Sequence, residues 1–96
     1  MFNIKLSLNA QEELENIEQY YFLISVKIAD KFIQKTENTF SILSKNPYFS
    51  IRYKNNRAVT IQNFPYLLFF EIDEINNTVY ILSCFHTSQN PNKYPI

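Results

Sequence analysis

The chain has 96 residues, 46% of them hydrophobic, 17% aromatic and 19% charged, enough for one compact core and too little for two. Nine Lys and Arg balance nine Asp and Glu, so the molecule as a whole is no electrostatic glove for polyphosphate, and a nucleic-acid role would have to rest on a local patch. Glycine is absent, which excludes Walker and Rossmann phosphate loops, because both need backbone that only glycine supplies.

Residues 2 to 7 (Phe2-Asn3-Ile4-Lys5-Leu6-Ser7) alternate apolar and polar with period two, the pattern of a short strand with one face on a core, expected near a sheet edge. In Asn9-Ala10-Gln11-Glu12 a capping Asn is followed three residues on by Glu, and Glu13 and Glu15 add negative charge near a helix N-terminus, so a helix is expected from about Ala10. Leu14, Ile17, Tyr21 and Ile24 recur at spacings of three and four and form its apolar face. The same periodicity resumes after Ser25 with Ala29, Phe32, Ile33, Thr36, Phe40 and Leu43, and stops at Asn46-Pro47. A single helix over residues 10 to 45 would be about 54 Å long, too long for a domain with an expected radius of gyration of about 12 Å. The chain is therefore expected to fold back near residues 23 to 26 as a helical hairpin.

Beyond Pro47 the composition turns β-branched and aromatic, with turn signals at Asn55-Asn56, Asn63-Phe64-Pro65 and Asn76-Asn77. Strands are expected at residues 57 to 62, 66 to 73 and 78 to 86. The second is apolar on both faces, as a central strand requires. Alternation along the third places Val79, Ile81 and Phe85 opposite Tyr80, Leu82, Cys84 and His86. The two Asn-Asn pairs are expected to supply positive φ without glycine. The whole reads as a single α+β domain over residues 1–96: an N-terminal strand, a helical hairpin, then an antiparallel three-strand meander, with the helices on one face of the sheet.

One cysteine, Cys84, cannot close an internal disulfide, and no basic segment followed by an apolar run opens the sequence. No stretch reaches the roughly 18 apolar residues of a membrane span, so a cytoplasmic protein without a membrane partner is expected. Cys84 and His86 would share a strand face, but no other Cys or His exists to complete a metal site, and no cofactor is implied.

The element order, the Ala10/Leu14/Ile17/Tyr21 face, Ala29 and Phe32 on the second helix, Asn46-Pro47, Arg57, Phe64-Pro65-Tyr66, and Phe85-His86-Thr87-Ser88-Gln89-Asn90-Pro91 with Tyr94 together resemble the RelE/ParE toxins of bacterial type II toxin-antitoxin modules, also called plasmid-stabilisation proteins. The resemblance implies a small growth-inhibiting toxin, silenced by a cognate antitoxin in a hetero-oligomer. It also implies one of two targets. RelE-like members cleave messenger RNA on the ribosome with basic and aromatic side chains and no metal; ParE-like members poison DNA gyrase. The fold is common to both.

Metal-free RNA cleavage needs a proton acceptor for the 2′-hydroxyl, a cation for the phosphorane and a donor for the leaving oxygen. If the chain is RelE-like, the resemblance assigns these tasks to Arg57, His86 and Tyr94. Arg57 and His86 would then have to lie within about 12 Å of each other to share one phosphate. Each residue also has a structural reading: an arginine snorkelling from a strand end, a histidine fixing the start of a loop by a hydrogen bond, a tyrosine packed at the domain edge. Arg52, Lys54 and Arg57 fall in a window without acids that includes Tyr53, a small nucleic-acid-binding patch or a solvated loop. The aromatic excess of the second half, with Phe64, Tyr66 and Phe85 foremost, is expected to serve antitoxin docking or simply to fill the core. Gln89 replaces an arginine common in relatives. With zero net charge, this favours a ParE-like, gyrase-directed or non-nucleolytic toxin over a RelE-like mRNA endonuclease; the third reading is a degenerate binding module that has lost toxicity.

Overall fold

The computed structural model describes residues 1–53 and 55–88. Its elements are β1 (Asn3–Leu6), α1 (Leu8–Ile24), α2 (Val26–Lys45), β2 (Ile51–Tyr53), β3 (Asn56–Thr60), β4 (Tyr66–Asp73) and β5 (Thr78–His86). The five strands form one sheet in the order β1-β5-β4-β3-β2. β3, β4 and β5 make the antiparallel meander, with the doubly apolar β4 at the centre, and β1 adds in parallel at one edge. The short β2 at the other edge is an element that the sequence pattern does not show; three residues, Ile51–Tyr53, hold no readable period, and their pairing with β3 carries a register shift.

Helix α1 starts at Leu8, earlier than the expected Ala10, because Ser7 takes the cap: its Oγ accepts the Ala10 N–H at 3.0 Å. The hairpin turns on one extended residue. Ser25 donates its backbone N–H to Tyr21 O, closing α1, while its hydroxyl accepts the Ile28 N–H, opening α2. Asn46 closes α2 before Pro47. The two helices lay Ala10, Leu14, Phe32 and Leu43 on one sheet face, against Ile61, Leu68, Phe70, Val79, Ile81 and Cys84. A smaller cluster, Ala58, Leu67, Phe69 and Phe85, is buried on the other face.

Phe85 belongs to that second face, and this corrects the strict alternation expected for residues 78 to 86. Phe69 pairs with Ser83 but Phe70 pairs with Ile81, so Leu82 is an extra residue, a β-bulge that reverses the in-out order beyond it. Val79, Ile81, Cys84 and His86 consequently share the helix-covered face, whereas Tyr80, Ser83 and Phe85 lie on the other. Of the two Asn-Asn pairs expected to supply positive φ, Asn76-Asn77 does so at Asn77, φ 50°, and among the described residues the other positive φ falls not at Asn55-Asn56 but at Asn63, φ 71°, in the turn before β4.

A bulge leaves ladder groups unpaired, and α1 satisfies them. The Leu82 carbonyl accepts the Ser7 hydroxyl at 2.9 Å, and the Glu13 carboxylate accepts the Cys84 N–H at 3.0 Å and the Asn9 side-chain amide at 3.2 Å. Replacing Glu13 by Ala removes a charged acceptor and strands a partly buried N–H, a loss of about 1.5–3 kcal/mol. Glu13→Ala is expected to lower Tm by on the order of 10 °C and Glu13→Gln by less, as measured by thermal circular dichroism.

Candidate functional site

Arg57 and Val59 share the helix-side face of β3. The Arg57 guanidinium donates from Nη1 to the Phe49 carbonyl at 2.6 Å and lies 5.6 Å over the Tyr48 ring. Tyr48 in turn donates its hydroxyl to Glu74 and meets Phe2 edge-on. Arg57 thus ties the segment after α2 to the sheet. Arg52 is exposed on the edge strand β2, while Ile51 is the register partner of Arg57. Lys54 lies outside the described residues, as do Gln89 and Tyr94.

His86 ends β5 half-buried, its ring 5.1 Å from and perpendicular to that of Tyr66. Its Nδ1 accepts the Ser88 N–H at 3.1 Å, with Ser88 Oγ at 2.6 Å, so in the neutral ring the proton sits on Nε2. This geometry anchors the turn that follows the strand. Tyr66 and Phe64 are half-buried and pack with Tyr21 and Phe32 at centroid distances of 5.1 to 5.8 Å. These rings clamp the hairpin onto the sheet. Burial, reinforced by the neighbouring Tyr21 hydroxyl, pushes the Tyr66 phenol up to about 12. Phe85 is 6% exposed and stacks edge-on with Phe69. Cys84 is also buried, and burial followed by the Glu13 carboxylate raises its thiol to about 12, far from a reactive thiolate.

The structure keeps Arg57 and His86 apart. Arg57 is the register partner of Phe70 and His86 that of Tyr66, with β4 between their strands. Four steps along a strand and two strand spacings separate their Cα atoms by about 16 Å. The guanidinium then extends towards Tyr48, whose partner Glu74 lies just past the far end of β4. One phosphate cannot bridge the two. Among the described residues no group of three or more His, Cys, Asp or Glu is placed to hold a metal ion.

What the structure assembles instead is a cleft of about 230 Å³ between α1, α2 and β1. Leu6, Leu14, Phe32, Ile33 and Phe40 make it apolar, while Glu15, Glu18 and Glu37 give it negative charge. Glu18 is held above its ordinary value of 4.5, first by burial and then by Glu15 and Glu37. Glu15 and Glu18 are one turn apart on α1, a pairing visible in the sequence; that Glu37 joins them from α2 depends on the hairpin's packing. A carboxyl with a raised native pKa binds its proton more tightly folded than unfolded, so its ionisation weakens the fold as pH rises through that value. Glu18→Gln is therefore expected to raise Tm slightly at pH 7, with the gain disappearing below pH 4.5, as followed by thermal melts across pH.

Comparison with known proteins joins these observations. The family model for the ParE toxin of type II toxin-antitoxin systems matches residues 4–91. Among solved structures, a chain of the chromosomal ParDE toxin-antitoxin system from P. aeruginosa superposes with a TM-score of 0.76 at 19% identity, over 92% of this chain and 98% of that one. No curated protein matches. The superposition shows the common fold, and the match over residues 4–91 shows the lineage: this chain belongs to the ParE toxin family.

Proposed function

We propose that the chain is the growth-inhibiting toxin of a type II module, acting in the cytoplasm by a ParE-like, gyrase-directed mechanism in which it cuts no RNA. Family membership supports the toxin role and an antitoxin partner. The observation that carries the mechanism is the separation of Arg57 from His86. The cation that would stabilise a phosphorane is engaged with Phe49 and Tyr48, and the residue whose imidazole would move a proton has its Cα about 16 Å from that of Arg57, towards the other end of β4. Zero net charge agrees, since a ribosome-directed nuclease draws on phosphate contacts favoured by an excess of cations, and here nine Lys and Arg are matched by nine Asp and Glu.

The antitoxin is proposed to seat a segment in the cleft between the helices. An apolar floor with Glu15, Glu18 and Glu37 suits a helix or extended strand bearing alternating aliphatic and Lys or Arg side chains. The aliphatic groups would fill the space beside Phe32 and Phe40, and the cations would relieve the repulsion among the three carboxylates.

Induction of the chain in a bacterial host, with and without the neighbouring reading frame, tests both statements. Growth arrest relieved by co-expression, with induction of the DNA-damage response and intact transcripts, is expected. Cleaved transcripts would instead place the chain with the mRNA endonucleases, and the absence of arrest would make it a non-toxic binding module. The double variant Glu15→Lys/Glu18→Lys is expected to weaken rescue by the antitoxin at least about tenfold in affinity, measured by calorimetry, while leaving arrest in place.

A further inference from the structure

The apolar surface that the structure leaves in solvent is concentrated at the closed end of the helical hairpin. Tyr20 is 58% exposed, Phe22 40%, Leu23 87%, Ile24 57%, Val26 62% and Ile28 39%. Tyr20, Leu23 and Ile24 stand at i, i+3 and i+4, a second apolar stripe on α1 beside the core stripe of Ala10, Leu14, Ile17 and Tyr21. Phe22, Val26 and Ile28 add exposed apolar side chains at the same end of the hairpin. A helix that is apolar on more than its core side is built to be covered there too.

We propose that this hairpin end is a homodimer interface, covered by the same surface of a second copy of the chain. Two features of the surface select that occupant. The first is charge. Residues 19 to 26, Gln-Tyr-Tyr-Phe-Leu-Ile-Ser-Val, hold no Asp, Glu, Lys, Arg or His, so the run between Glu18 and Lys27 carries no charge at neutral pH. In a two-fold contact a patch meets itself, so every charge in it faces its like; an uncharged patch suits such a contact, whereas a partner read by charge would leave a signed surface. The second is area. The six residues expose on the order of 600 Å² per copy, and two copies covering most of it hide about 1,000 Å² in total, the floor that a biological interface clears and the size of a reversible, micromolar contact. Per copy it lies at the upper end of the roughly 300–600 Å² that the largest apolar patch of a monomer spans, the range in which such patches often mark an interaction site.

The surface is separate from the acidic cleft and from the core, so it can be altered without unfolding the domain. Leu23, the most exposed of the six, touches neither buried cluster. The full chain, purified free of antitoxin, is expected to sediment as a dimer at tens of micromolar. Leu23→Lys and Val26→Asp each place like charges across the two-fold axis and are expected to weaken dimerisation at least about tenfold, with unchanged circular dichroism and melting temperature. A wild-type chain that stays monomeric up to about 100 μM, or a dimer that both variants leave intact, overturns the proposal. So does a monomer that binds phosphatidylglycerol vesicles or the neighbouring frame's product through this surface, with binding lost in Leu23→Lys, since that gives the surface to a membrane or to the antitoxin. The readout is mass in solution, so its failure leaves the toxin assignment standing.

Discussion

The structure depends on how the first turns of α1 complete the bulge in β5. Leu82 is one residue too many for the ladder with β4, and the groups it frees are taken up by Ser7, Asn9 and Glu13. Ser7 does this while also capping its own helix and extending the β1 ladder through its N–H to Ile81 O. One short stretch therefore fixes the helix start, the edge strand and the irregularity of a distant strand. The bulge in turn decides which side chains face the hairpin. Without it, Cys84 and His86 would point away from the helices and Phe85 would point towards them, and the buried clusters on the two faces would exchange members.

What was legible in the sequence follows from whether the determining contacts are local. The break at Ser25, the stop at Asn46-Pro47 and the central position of β4 are set by residues within a turn or two of the feature, and the periodicity shows them. The bulge is not, because its partners are more than 70 residues away and no glycine marks it. Strand β2 is too short to display a period and owes its assignment to its neighbour. The exposed hairpin end was present as a run without charges, but Ile24 sits at a spacing that also suits the core face. Only the packed hairpin shows that Tyr21 turns inward while Ile24 stays largely in solvent.

The candidate residues divide in the same way. Arg57, His86, Tyr66 and Phe64 are prominent residue types at plausible positions, and each acts in holding the fold: a strap to the loop after α2, a loop anchor, and two rings of the clamp between the layers. Their spacing along the chain carried no information about their distance in space, which the register with β4 determines. The acidic cleft shows the converse. Three ordinary surface glutamates become a unit only because the hairpin brings Glu37 beside Glu15 and Glu18.

The parallel pairing of β1 with β5 joins Asn3 to Thr78 and Leu6 to Ile81, a closure that reaches across most of the chain and that no local folding can anticipate. During synthesis the helical hairpin can form early, but the β1 edge and the completed bulge must wait until β5 has left the ribosome. Shortened products that lack β5 therefore have no way to complete the core. Translation of β5 thus sets when a folded molecule first exists.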